Sequence, residues 1–152
     1  GVAYAVKQLQ PSVKVYGVQA LNAPSMFESH REGHQITLNT VHTFADGIAV
    51  KHPGDTTFAM VEQYVDDIVT VSEDEIAAAI LAMIEKQKLI AEGAGAVSVA
   101  AVASSNVLAP GYIRNFSSAF SGAQTRTTWS SADKRAASTS TVFTLDSVKP
   151  SR

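Results

Sequence analysis

Residues 66–103, DDIVTVSEDEIAAAILAMIEKQKLIAEGAGAVSVAAVA, decide the fold of this chain. A run of β-branched residues at 68–71 has the composition and the length of a buried strand. Ser72 and Glu75 follow at the S-x-x-E spacing of a capping box, in which each side chain satisfies a free backbone N–H. Apolar residues then recur at helical spacing, and Lys86 and Lys88 are expected to close this helix. The stretch therefore predicts a strand followed directly by a capped helix with one buried face, formed by Ile76, Ile80, Met83, Ile84 and Gln87.

A second helix is predicted after a glycine-rich entry at residues 92–96, which read Glu-Gly-Ala-Gly-Ala. The helix continues to residue 103 in alanine, valine and serine. Such small side chains allow a helix to approach a neighbouring helix, a sheet or a bound ligand closely. Taken alone, Glu92 is a negative charge at the N-terminal end of a helix, where the helix dipole favours it.

Helix and strand patterns alternate upstream of this stretch. Ser25 is predicted to cap a short helix, and Thr56 or Thr57 is predicted to cap a longer one. The predicted upstream elements are a helix at 2–10, a strand at 14–19, a helix at 26–30, a turn with a short strand at 45–51 and a helix ending at 65. This order predicts an α/β layered fold with a mainly parallel sheet.

Composition excludes several classes of protein. The net charge is only −2, which gives no indication of a nucleic-acid or membrane partner. Cysteine is absent, so disulfides and cysteine-ligated metals are excluded, and a cytoplasmic location is expected. No apolar run reaches the roughly 18 residues that a transmembrane helix needs, and no signal peptide is recognised.

The composition changes near Ser104. Residues 1–103 carry 6 basic and 12 acidic side chains, whereas residues 104–152 carry 6 basic and 2 acidic ones, with 17 serines and threonines. We therefore divide the chain into a catalytic-domain part, 1–103, and an atypical tail, 104–152, that we expect to be poorly ordered. One hypothesis is that the tail is translated out of frame. Absence of family-like sequence in the other frames of the DNA would contradict it.

Several motifs resemble those of the threonine dehydratase (threonine ammonia-lyase) family, whose close relative is serine racemase. They are the segments 11–19, 45–51, 66–76 and 89–96, and together they cover about residues 1–103 in the order and spacing of the family. The resemblance implies a fold type II domain, similar to the tryptophan synthase β chain, that binds pyridoxal 5′-phosphate. It also implies a lyase that converts an amino acid to a 2-keto acid and ammonia, with full-length relatives that are homo-oligomers.

The resemblance assigns candidate cofactor-binding residues. Asp46 and Gly47 match the Ala-Asp-Gly motif beside the cofactor, and Glu92 and Gly93 match the Glu-Gly-Ala-Gly motif that faces its ring. Ser121 would correspond to the serine that hydrogen-bonds the pyridine nitrogen. An ordinary turn at residues 46–47 and a simple helix-end charge at Glu92 are the alternatives.

The resemblance also identifies what is missing. None of the lysines of residues 1–103 matches the motif of the Schiff-base lysine, and each is better interpreted as a solvated surface residue, namely Lys7, Lys14, Lys51, Lys86 and Lys88. The chain does not begin with methionine, and residues 2–10 read as a helix already under way. We therefore expect a fragment with no catalytic residue of its own that is inactive alone.

No metal site is expected. Some relatives bind a divalent cation through carboxylates where this chain has Gln19, Ala23 and Ser25, and hard cations prefer anionic oxygen ligands. His30 and His34 have a spacing that can bind zinc on a helix, but Gly33 and the lack of a third ligand favour a solvated loop. The alternatives to a threonine or serine ammonia-lyase are a serine racemase-like enzyme, another fold type II lyase or a non-catalytic truncated product. Preference for threonine or serine, and a biosynthetic or catabolic role, stay open.

Overall fold

A computed structural model of the chain describes residues 1–104 and the backbone of residues 141–145. Its sheet has three strands, with β1 (Lys14–Ala20) between β2 (Asp67–Val71) and β3 (Thr141–Leu145). Strands β1 and β2 are parallel, with Gly17 opposite Ile68, and β3 is antiparallel to β1. The sequence does not predict the strand β3. The rest of the tail lies outside the described residues, so the division at residue 104 stays a prediction.

Five helices accompany the strands in the described part of the chain. They are α1 (Val2–Leu9), α2 (Ser25–Glu32), α3 (Asp55–Tyr64), α4 (Glu73–Ala82) and α5 (Gly93–Ala103). A 3₁₀ turn covers Asp46–Ile48, and a π turn covers Met83–Gln87. The predicted order of elements is confirmed as an α/β layered fold, and the short strand predicted within residues 45–51 is wrong.

The two faces of β2 are covered by different helices. Val69 and Val71 belong to the cluster built around α4 and α5, whereas Ile68 packs with Met26 of α2 and Val61 of α3. Since side chains alternate along a strand, these residues point to opposite sides of the sheet. Helices therefore lie on both faces, as expected for a parallel sheet.

Helix α5 is the most deeply buried helix of the described chain. Its residues from 96 to 101 are all buried, and Ala96, Val97 and Ala101 have no exposed surface. They pack against Ile76 and Ala79 of α4 and against the strands. The prediction that small side chains let this helix approach its neighbours closely is confirmed.

The capping box of α4 is confirmed. The Ser72 backbone N–H donates to Glu75 Oε2 at 2.7 Å, and the Glu75 N–H donates to Ser72 Oγ at 3.3 Å. The other two predicted caps are wrong. Helix α2 includes Ser25 as its first residue, and α3 begins after Gly54, so neither has a side-chain cap. The Ser25 hydroxyl is instead buried with no hydrogen-bond partner.

The end of α4 departs from the predicted regular helix. The π turn puts extra residues into one turn, which shifts the following side chains around the axis. Ile84, predicted on the buried face, is accordingly 41% exposed. Lys88 ends the turn in the left-handed conformation with φ of 58°, and its Nζ donates to the Glu85 carbonyl at 2.8 Å. Its expected role in closing the helix is confirmed.

Asp66 joins α1, β1 and β2 through two lysines. Lys7 Nζ lies 2.6 Å from its carboxylate and Lys14 Nζ lies 2.9 Å away, while the Val15 N–H donates to Oδ2 at 2.7 Å. Burial by itself raises the pKa of Asp66, but these hydrogen bonds outweigh it and lower the pKa to about 2. The hydrogen bond between Lys14 and Asp66 also raises the pKa of Lys14. The Lys7 side chain is 18% exposed, so the prediction of a solvated residue is wrong there.

Candidate functional site

Two separate segments of the chain meet at the start of α5. A Cβ atom added to Gly47 would lie 3.0 Å from Ala94 Cβ and 3.7 Å from Glu92 Oε1. A Cβ atom added to Gly93 would lie 2.9 Å from Phe44 Cδ2 and 3.0 Å from Ala45 Cα. The shortest distance at each glycine, 3.0 Å at Gly47 and 2.9 Å at Gly93, is so short that the neighbouring atom would have to move to admit a Cβ atom. Glycine at these two positions therefore allows the turn and the helix end to touch.

We call residues 45–47 and 92–93 together the site wall. Buried residues anchor it from behind, since Ala45 has no exposed surface and Ile48 is 1% exposed. Asp46 and Glu92 are exposed at the junction itself. The wall is thus a close-packed surface of small residues and backbone with two carboxylates at its rim.

Hydrogen bonds hold the loop that precedes the turn, and one of them joins the His42 N–H to the Asn22 carbonyl at 3.2 Å. The Phe44 N–H donates to Glu73 Oε2 at 3.2 Å, and the Ala45 N–H donates to Thr43 Oγ1 at 3.1 Å. Glu73 is the first residue of α4. The loop is therefore tied to the junction between β2 and α4.

An open cleft of about 520 Å³ adjoins this loop. It is lined by Asn22, Thr40, His42, Thr43, Phe44 and Glu73. Asn22 follows the carboxyl end of β1 and Glu73 follows that of β2. In open α/β sheets ligands bind in the crevice outside the carboxyl ends of parallel strands, so both the cleft and the nearby wall occupy the usual ligand position.

The structure brings together four of the five residues predicted for the site, namely Asp46, Gly47, Glu92 and Gly93. Ser121 lies outside the described residues. Their assignment as cofactor-binding residues stays a prediction, because proximity alone does not identify a ligand.

Sequence reasoning missed Phe44 and Glu73. From the sequence, Glu73 is only a charge in the first turn of a helix, and Phe44 is part of an irregular segment. An aromatic residue directly before the Ala-Asp-Gly motif was the available signal, since Gly93 leaves room for a bulky neighbour. The contact between Phe44 and Gly93 joins residues far apart in sequence, which no local pattern reports.

Two of the side chains considered as metal ligands make other contacts. Gln19 Oε1 accepts the Phe27 N–H at 2.8 Å, and His30 Nδ1 pairs with Glu62. His34 follows Gly33, whose φ of 70° ends α2, so the two histidines do not share a helix face. Among residues 1–104 no group of three or more histidine, aspartate or glutamate side chains is arranged to hold a metal ion. Within the same residues no helix combines the length and the apolarity required to cross a bilayer.

Comparison with known proteins identifies the family. The family model described as pyridoxal-phosphate dependent enzyme matches residues 1–114, which is most of the chain. The chain therefore belongs to the family of pyridoxal-phosphate dependent enzymes.

Threonine ammonia-lyases are among its relatives. The chain is 56% identical over 102 residues to L-threonine ammonia-lyase of Thermotoga maritima, a match that covers 67% of this chain and 25% of the relative. The crystal structure of a threonine deaminase from T.th. is similar with a TM-score of 0.68 and 33% identity, over 72% of this chain and 40% of that one. Maize serine racemase is similar with a TM-score of 0.64 and 33% identity, over 66% and 31% of the two chains. The chain thus spans between a quarter and two fifths of these proteins.

The residues of the site wall are chemically compatible with one side of the cofactor implied by the family. Pyridoxal phosphate has a flat ring with polar atoms at its edge, and it requires a smooth surface beside the ring. Residues 45–47 and 92–93 are packed so tightly that no Cβ fits at Gly47 or Gly93 without movement, and the carboxylates of Asp46 and Glu92 lie exposed beside them. Close-packed backbone and small side chains with carboxylates beside them offer apolar contact for a ring and polar partners for its edge.

Proposed function

We propose that this chain contributes one wall of the cofactor pocket of a pyridoxal-phosphate dependent threonine or serine ammonia-lyase, a reaction that gives a 2-keto acid and ammonia. The observation that carries the proposal is the contact between the turn at Asp46-Gly47 and the helix start at Glu92-Gly93. Two motifs that the family resemblance assigns to one cofactor are distant in sequence, and they touch.

When bound, the cofactor withdraws electrons from the α-carbon of the amino acid, which makes loss of its proton and of the β-hydroxyl possible. The residues of this chain contribute orientation. In our proposal Gly47 and Gly93 let the turn and the start of α5 touch, so that the ring lies against backbone and small side chains. Glu92 and Asp46 provide negative charge at the rim of the wall. The buried helix α5, which begins at Gly93, fixes the wall in position.

We propose further that no lysine of residues 1–104 forms the covalent bond to pyridoxal phosphate. Of the five lysines there, Lys7 and Lys14 are paired with Asp66, Lys51 donates to the Asn39 carbonyl and Lys88 donates to that of Glu85. None lies in the lysine motif of the family. A Schiff-base lysine from elsewhere would then be required for turnover, and the isolated chain would not deaminate threonine.

A chimera tests the proposal. The 102 matched residues of the Thermotoga maritima L-threonine ammonia-lyase are replaced by those of this chain, and pyridoxal phosphate binding and 2-keto acid formation from threonine and serine are measured. We expect the folded chimera to bind the cofactor and to deaminate, whereas the isolated chain forms no product. A folded chimera that fails to bind pyridoxal phosphate would contradict the proposal. Borohydride reduction of the isolated chain that fixes the cofactor to a lysine of residues 1–104 would contradict the second part.

A racemase that depends on a divalent cation is the weaker alternative. The likeness to maize serine racemase speaks for it. Against it, the three positions where some relatives carry carboxylate ligands hold Gln19, Ala23 and Ser25, and the Gln19 amide oxygen is already bonded to the Phe27 N–H. Formation of D-serine by the chimera would favour this alternative.

A further inference from the structure

Glu73 has an environment that a simple helix-end charge does not need. Its Oε2 accepts the Phe44 N–H at 3.2 Å, while its Oε1 is buried with no hydrogen-bond partner. The helix dipole favours a carboxylate in the first turn even when it stays in water. A buried oxygen without a partner is unfavourable, so a side chain that served only the dipole would remain solvated. Glu73 as a whole is half-buried and its bond with Phe44 lies at the surface, so the enclosed Oε1 indicates that this contact holds the side chain in place.

Phe44 lies between Glu73 and the site wall and contacts both. Its backbone is bonded to Glu73, and its ring lies against Gly93, where an added Cβ would be 2.9 Å from Cδ2 and 3.1 Å from Cε2. The next residue, Ala45, lies equally close to Gly93. Phe44 therefore connects the first residue of α4 to the first residue of α5 at the edge of the turn.

We infer that Glu73 is a positioning residue: through the Phe44 N–H it holds the Phe44 ring against Gly93 and so fixes the turn at residues 45–47 against the start of α5. Glu73 lines the neighbouring cleft, but none of its described contacts is with residues 45–47 or 92–93. Its role in orienting a cofactor rests on the proposed function, whereas its role in holding the wall together does not.

Amide hydrogen exchange of the ligand-free, full 152-residue chain, followed by NMR, tests the tether. Glu73→Ala removes the acceptor, and we expect the amide of residue 44 to exchange about tenfold faster, with altered signals at Gly47 and Gly93. Glu73→Gln keeps an acceptor oxygen and should restore the wild-type pattern. Asp74→Ala is the matched control, because it removes the same charge from the same helix turn at an exposed position.

An unchanged exchange rate of the residue 44 amide in Glu73→Ala would overturn the inference. An equal change in Asp74→Ala would also overturn it, because the loss of a charge near the helix dipole would then explain the effect. If Glu73→Ala does not fold, Phe44→Leu decides. This variant keeps the backbone bond but removes the ring, so the signals of Gly47 and Gly93 must change while the amide of residue 44 stays protected. Undisturbed signals at both glycines would overturn the inference.

A cofactor measurement in the chimera separates this inference from the proposed function. We expect Glu73→Ala to weaken pyridoxal phosphate binding about tenfold and Glu73→Gln to restore it. If the parent chimera does not bind the cofactor, the proposed function fails and the exchange experiment still decides on Glu73. If the parent binds and Glu73→Ala binds equally well, the positioning role is wrong even where the proposed function stands.

Discussion

Gly93 and Gly95 lie two residues apart in α5, yet an added methyl group meets different surroundings at each. At Gly93 it would collide with the ring of Phe44 and the backbone of Ala45, at 2.9 and 3.0 Å. At Gly95 it would lie 3.8 Å from its nearest neighbours, which is ordinary contact. We predict that Gly93→Ala lowers the free energy of unfolding by about 1–3 kcal/mol. Gly95→Ala should raise it by up to about 1 kcal/mol, because alanine favours the helix.

Urea unfolding of the two variants, with equal m-values required, measures this difference. The matched pair controls for the helix propensity of alanine, which is the same change at both positions. A Gly93→Ala variant as stable as Gly95→Ala would mean that the turn does not press against α5 as described.

Asp66 makes stability depend on acid pH. Its pKa is about 2 in the folded chain and close to 3.9 in an unfolded one. Its contribution is therefore complete above about pH 4 and is lost as the pH falls through 2. After allowance for solvent screening we expect on the order of 1–2 kcal/mol.

The variant Asp66→Asn should be less stable by this amount at pH 7 and should lose less stability than the wild type between about pH 4 and 2. Asp67→Asn is the control, because its carboxylate accepts only the Ile68 N–H among the bonds described. Urea midpoints at several pH values measure both. Parallel pH profiles for the wild type and Asp66→Asn would refute the role of the two lysines.

At the scale of the helices, two serines at helix starts should respond oppositely to mutation. Ser72→Ala removes one half of a capping box and should cost about 1 kcal/mol. Ser25→Ala removes a buried hydroxyl that has no partner, so stability should change by less than about 0.5 kcal/mol or rise. Thermal and urea unfolding compare the two, and an equal loss in both variants would contradict the hydrogen bonding described here.

The elements illustrate which features a sequence encodes locally. The capping box of Ser72 and Glu75 is confirmed, since it depends on residues within one turn. The caps assigned to Ser25 and to Thr56 or Thr57 are wrong because both helices begin earlier than predicted, so these residues lie inside them. The π turn after α4 was not foreseen, since nothing in the spacing of apolar residues distinguishes it from a regular turn.

At the scale of the whole chain, the candidate site residues were predicted from the family resemblance and not from local sequence patterns. The resemblance to a known family assigned Asp46, Gly47, Glu92 and Gly93, and the fold brings them together. Glu73 and Phe44 escaped notice because their contact spans 29 residues of sequence. Their contact is a feature of the three-dimensional packing, so no local sequence pattern indicates it.

The position of the cofactor itself tests the central claim most directly. A crystal structure of the chimera with pyridoxal phosphate bound would measure the distances from its ring to Gly47 and Gly93 and to the carboxylates of Asp46 and Glu92. We predict a ring in van der Waals contact with the wall formed by residues 45–47 and 92–93. A ring bound elsewhere, with this wall facing only protein or solvent, would contradict the assignment.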